Sequence, residues 1–337
     1  MEPADAVAES ALVRRPLAPD RYARALLGEV PELARLADIE TRILCNLDSS
    51  DIGPDEWTAL AGEVADARSR ADGIVIVHGT DTMAYTASAL SFALVGLDRP
   101  VILTGSQRPL GAVRTDARRN LVDAVDLATR DVPEVGICFD GRLLRGNRAT
   151  KGDAWSYAAF GSPALAPLAR LGLDVEIAPH VRRPQPGAPF CLTSSFDPRV
   201  ALAWIVPGMD PDHLLRLVEG GRGDALRGLV IAAFGVGNVP LRARSLAPAV
   251  ATIVKQGVTV VIATQARAGA VDLARYENGA ALAHAGALPG GDMTTEAALV
   301  KLMHALALHP ADTGARAAYI LSDIAGERGP SGVHLED

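Results

Sequence analysis

The 337 residues are 49% hydrophobic and 22% charged, enough apolar matter for sizeable cores, and at roughly 150 residues per domain the length suggests two domains. A net charge of -7, with the basic residues scattered, argues against a nucleic-acid or anionic-membrane partner. Three cysteines without C-x-x-C spacing, histidines without H-x-x-x-H or H-E-x-x-H, and no eighteen-residue apolar span point away from a disulfide framework, a metal site and a transmembrane helix.

Met1 to Ala18 is polar, proline-containing and without period, an odd opening for an α/β chain. It lacks the apolar middle of a signal peptide, so the cytoplasm is the expected location. A helix is expected around Pro19 to Leu27, with a second apolar set at Val30 to Leu36. Ile39 to Leu44 reads as the first strand, ending in the polar run Asn46 to Asp51. A helix with Pro54 in its first turn should turn Trp57, Leu60 and Val64 inward. Ile74 to Val77, four consecutive β-branched residues, reads as a strand buried on both faces. Gly79 permits a sharp exit, and Thr80, Asp81 and Thr82 then open a helix whose Met83, Ala87, Leu90 and Leu94 share one face. Either Thr80 or Asp81 suits an N-cap, a role compatible with a functional one.

Pro100 to Thr104 and Val135 to Phe139 are further strands, with helix Asp116 to Thr129 between them. Pro184, Pro186, Gly187 and Pro189 break all periodicity before the pattern restarts with strands Val200 to Val206, Leu229 to Phe234 and Val258 to Ala263. Helices Pro211 to Val218, Leu241 to Lys255 and Thr294 to Leu308 alternate with them. The expected fold is α/β with two domains: a larger N-terminal domain (1–180) with a mostly parallel sheet and helices on both faces, a linker (181–198), and a smaller C-terminal α/β domain (199–337).

Three polar clusters fall at expected strand ends: Asp48 to Asp51, Thr80 to Thr82, and Thr150 to Asp153. Ligands of open α/β sheets bind at such ends. The inventory of hydroxyls, carboxylates and one lysine suits an amide or ester hydrolase with a Thr or Ser nucleophile and a lysine taking the proton. Lys151 is one of very few lysines, although a solvated loop lysine is the plainer reading of it taken alone. His78 reads as a packed core histidine and Cys138 as a buried small hydrophobe. Gly235-Val236-Gly237 follows a strand as a dinucleotide loop would, but Pro240 stands where the third glycine belongs, and no P-loop is present.

Asp72 to Met83, with its core His78-Gly79-Thr80-Asp81-Thr82-Met83, closely resembles the second signature of the L-asparaginase and glutaminase family. Similarity continues through Pro100 to Pro109, Thr115 to Leu121, Ala149-Thr150-Lys151, Gly235 to Asn238 and Gly269 to Tyr276. The resemblance implies a cofactor-free threonine amidohydrolase that splits the side-chain amide of asparagine through an acyl-enzyme. It implies Thr80, Asp81 and Lys151 as the proton-relay triad, Ser49 and Ser50 as ligands of the substrate α-carboxylate, and Asp81 as ligand of its α-amino group. Asp48 to Asp51 and Val271-Asp272-Leu273 look more like the cytoplasmic branch of the family, and a homodimer or homotetramer is expected.

The family opens on a strand ending in Gly-Gly-Thr-Ile, whose threonine is its first nucleophile, and no such motif occurs in the 337 residues; the flexible-flap tyrosine also has no match. Ser10-Ala11-Leu12-Val13 fits the register that follows that strand. The expectation is that Met1 is not the natural start, that the missing strand is encoded in frame upstream, and that only the extended form is active. A catalytically silent amino-acid-binding paralogue and the amidase subunit of a tRNA-dependent amidotransferase are the alternatives.

Overall fold

A computed structural model describes residues 28–219, 225–242 and 244–329. The helix expected at 19–27 and the Ser10 to Val13 register lie outside the described residues. Helix α1 (Pro54–Ala67) starts on Pro54 and buries Trp57 and Val64. Strand β1 (Ile74–Val77) leads into α2 (Met83–Ala93), which fully encloses Met83, Ala87 and Leu90. Then come β2 (Leu94–Val95), β3 (Val101–Thr104), α3 (Ala117–Ala128), β4 (Val135–Phe139) and β5 (Arg142–Arg145). Between β4 and β5, Asp140 and Gly141 have φ of 50° and 69°, the left-handed geometry that closes a tight hairpin.

Strands β6 (Thr150–Lys151) and β7 (Phe160–Gly161) form a small separate hairpin, and β8 (Ala169–Leu171) and β9 (Val175–Ile177) complete the main sheet. Its order is β1-β3-β4-β5-β8-β9. The first three strands are parallel and the rest antiparallel, so the sheet is mixed. Leu103, Ile137 and Phe139 pack on the α2 side, whereas Ile102 and Cys138 meet Ala124 and Leu127 of α3 on the other. Helices therefore cover both faces, as the alternation of side chains along a strand allows.

Two expectations need correction. Ile39 to Leu44 forms no strand: no described strand pairs with it, and an extended segment without a partner makes no ladder. Strand β1 is not buried on both faces, because it is the sheet edge among the described residues and Val77 is 54% exposed. The proline-rich stretch is fastened rather than free. Its β10 (Cys191–Leu192) pairs antiparallel with β2, and Thr193 N–H donates to the Ala93 carbonyl.

The C-terminal unit runs β11 (Val200–Trp204), α4 (Asp212–Val218), β12 (Gly228–Ala233), α5 (Ala247–Lys255), β13 (Thr259–Thr264), α6 (Glu277–His284), β14 (Leu288–Pro289), α7 (Thr295–Leu308) and α8 (Thr313–Leu321). The four strands lie in order and all parallel. Helices α4 to α6 cover one face, and α7 and α8 the other. Helix α7 also meets the first unit, where Val300 packs with Trp57, Ala89 and Phe92.

Candidate active site

The exits of β1 and β3 lie very close together. A Cβ on Gly105 would fall 2.2 Å from the His78 carbonyl oxygen, and one on Gly79 would fall 2.7 Å from Ser49 Cβ. Only glycine permits either approach, so both positions serve to compress the site. His78 is buried directly beneath. Its Nδ1–H donates to the Gly79 carbonyl at 2.6 Å, which leaves Nε2 to accept from Thr86 Oγ1 at 3.0 Å, while Trp57 Nε1 donates to that same hydroxyl at 3.1 Å. Burial pushes the His78 imidazole below its ordinary value. A neutral, fully bonded ring that holds the turn before Thr80 is a structural group, as its sequence context suggested.

Thr80, Asp81 and Lys151 come together. Lys151 Nζ donates to Thr80 Oγ1 at 2.8 Å and to Asp81 Oδ1 at 2.6 Å. The lysine side chain is 18% exposed and the aspartate 69%, so the ammonium sits at the inner wall and the carboxylate at the mouth. The two partners arrive from far apart in sequence: Thr80 and Asp81 follow β1, and Lys151 projects from β6, which pairs with Phe160 in β7. Ser49 lies against this turn, with its carbonyl accepting from Thr82 Oγ1 at 2.6 Å. Ser50 is bonded to Asp48, whose Oδ1 accepts both the Ser50 N–H at 2.9 Å and its hydroxyl at 2.8 Å. Those two bonds hold the Asp48 carboxyl below its ordinary value.

Several residues that bear on the site had no sequence signal read as functional. Thr80 Oγ1 also donates to Gln107 Oε1 at 3.2 Å, across the end of β3. Asp116, at the head of α3, accepts the backbone N–H groups of Gln107 and Arg108 at 3.0 Å each. Asn120 donates to the Gly105 carbonyl at 2.9 Å and accepts the Asp140 N–H at 3.2 Å, fixing the exits of β3 and β4 together. The segment before Lys151 is anchored to the C-terminal unit: Asn147 donates to the Ala325 carbonyl, Arg148 to Asp292 at 2.6 Å, and Thr150 to Glu296 at 2.6 Å. The resemblance did include Gln107, Asp116, Asn120 and Thr150 without giving them a role, and Thr150 also opened the third polar cluster. Among the described residues no group of three or more His, Cys, Asp or Glu side chains could hold a metal ion.

Family models match the chain almost end to end. The asparaginase N-terminal model covers residues 8–183, and the glutaminase/asparaginase C-terminal domain model covers residues 199–318. L-asparaginase 1 of Escherichia coli K12 is 38% identical over 291 residues, which is 84% of this chain and 82% of the relative. The structure of the thermostable L-asparaginase from Thermococcus kodakarensis superposes with a TM-score of 0.83 at 37% identity, covering 89% of this chain and 90% of that one. A structure described as the "Probable Cytoplasmic L-asparaginase from Campylobacter jejuni" gives a TM-score of 0.75 at 26% identity, over 89% of this chain and 94% of that one.

Proposed function

Because the chain belongs to the asparaginase family of amidohydrolases, we propose that it hydrolyses the side-chain amide of L-asparagine to L-aspartate and ammonia. The observation that carries this reading is Lys151 Nζ, bonded at once to the Thr80 hydroxyl and the Asp81 carboxylate. Nζ donates to both in the resting arrangement, so the amine form is reached by yielding a proton towards Asp81. The amine then takes the hydroxyl proton as a threonine oxygen attacks the amide carbon. That proton passes to the amide nitrogen, ammonia leaves, and water cleaves the acyl ester. Ser49 and Ser50 hold the substrate α-carboxylate, and Asp81 its α-ammonium.

The likeness to the Campylobacter protein and the Asp48 to Asp51 sequence support a cytoplasmic enzyme. Leu202, Trp204 and Val206, partly exposed along and just beyond the outer strand β11, support a homodimer or homotetramer, which sedimentation would establish. Ammonia release from L-asparagine by the natural protein tests the activity. A second reading is a catalytically silent amino-acid-binding protein. Stoichiometric asparagine binding without ammonia release would select it.

A further inference from the structure

We propose that Gln107 is a positioning residue for this chemistry: it orients the Thr80 hydroxyl. The inference rests on the reading that Thr80 is part of the relay, and it deepens that reading. Chemistry assigns the two ends of the Gln107 amide. One end lies 3.3 Å from the Ala154 carbonyl and 3.1 Å from the Ser156 carbonyl, and carbonyls only accept, so that end is the NH2 group. The oxygen end is therefore turned to Thr80 Oγ1, 3.2 Å away, and can only accept from it. Lys151 donates to the same Oγ1 at 2.8 Å. In the resting arrangement the hydroxyl's single proton thus points to Gln107 and one lone pair to Lys151, which leaves one lone pair with a single defined direction until Lys151, as the amine, takes that proton over from Gln107. A threonine side chain otherwise rotates among staggered positions, and reaction needs only one of them.

Gln107 does not need this side chain to keep its own place. Its backbone N–H is held by both carboxylate oxygens of Asp116, at 3.1 and 3.0 Å, and the Arg108 N–H by Asp116 Oδ1 at 3.0 Å. A near-isosteric Gln107→Met change should therefore remove the two side-chain contacts and leave the loop where it is. With asparagine, kcat should fall about five- to tenfold while KM stays within about twofold, the size of one lost hydrogen bond acting on the reacting group. Gln107→Glu supplies a reading that mere fastening of Ala154 and Ser156 would not. A protonated carboxyl can accept from Thr80 and donate to a carbonyl, whereas a carboxylate sets a second oxygen against two carbonyl oxygens. The kcat of the Glu variant relative to wild type should therefore climb as the pH is lowered from about 8 to about 5.

A second measurement does not depend on asparagine. With p-nitrophenyl acetate, an ester bond forms between Thr80 Oγ1 and the acetyl carbon while the bond to nitrophenol breaks. The nitrophenol leaves with the proton the hydroxyl gave up through Lys151, and peptide mass analysis reads the acetyl group on Thr80. Acetylation should slow about five- to tenfold in Gln107→Met. Unchanged kcat and acetylation in that variant, or a Glu variant with no pH-dependent recovery, would overturn the proposal. Gln107-dependent acetylation of Thr80 without ammonia from asparagine would remove the substrate reading and leave the role of Gln107 standing. If wild type neither acetylates Thr80 nor releases ammonia, both fall.

Discussion

Lys151 is the only one of three lysines that reaches the strand ends: Lys301 is fully buried in α7 and Lys255 ends α5. Replacing Lys151 with methionine keeps the stem and removes the proton acceptor. Ammonia release should fall by about 10²- to 10⁴-fold with the melting temperature unchanged, and substantial residual turnover would take Lys151 out of the mechanism. Asp81 has two tasks that substrates can separate. If it also holds the α-ammonium, Asp81→Ala should cost at least about tenfold more with asparagine than with a simple amide lacking the amino group. Equal losses on the two substrates would leave Asp81 with the relay alone.

At the scale of elements, what holds Lys151 is the way the segment from β5 to β6 is pinned from outside its own domain. Arg145, Asn147 and Arg148 all donate to carbonyls of the stretch from Ala325 to Glu327. That stretch is set in turn by Glu327, whose carboxylate accepts the N–H groups of Ile324 and Ala325 and pairs with Lys301, both side chains being wholly buried. Burial pulls the Lys301 ammonium below its ordinary value, and the Glu327 charge opposes that pull. Glu327→Ala should therefore destabilise the protein by about 3–5 kcal/mol in urea unfolding, because an unpaired ammonium is left inside. Adding Lys301→Met should recover most of that loss. A single variant as stable as wild type would show that the pair is dispensable.

The molecule as a whole has a built-in acid weakness where its two units meet. His304 of α7 accepts from Tyr319 Oη at 2.7 Å and donates Nε2–H to the Thr193 carbonyl at 2.6 Å, tying the proline-rich stretch to both C-terminal helices. Burial holds the His304 imidazole down to about 4. The unfolded chain therefore takes up a proton that the folded one refuses. The stabilisation from neutral His304 is complete above about pH 6.5 and is lost as the pH falls towards about 4, a change on the order of 3 kcal/mol. The buried His78, lowered in the same sense, adds to it. Melting temperature measured across that window should drop towards acid, and the drop should shrink in His304→Gln. An equal slope in that variant would assign the acid lability to other groups.

Periodicity alone was enough for α1, α2, α3 and α7, because an apolar stripe at helical spacing has few other uses. The strands expected from Ile74, Leu229 and Val258 became β1, β12 and β13 for a similar local reason, and the His78 to Met83 motif picked out the turn where Thr80 and Asp81 meet Lys151. The sequence could not tell that Ile39 to Leu44 makes no strand, or that β1 is the sheet edge among the described residues, since a ladder depends on what lies alongside. It also left Thr80 and Asp81 open between capping and chemistry. Asp116 and Asn120 looked like an ordinary helix start, and Gln107 like a loop residue, until the exits of β3 and β4 were folded against each other. The meeting of Lys151 with Thr80 and Asp81, some seventy residues away, depends on a two-residue strand held by contacts with Asp292, Glu296 and Ala325. Such short strands carry no periodic signal, and long-range contacts between polar side chains leave none in the local sequence. Their geometry exists only once both units have packed.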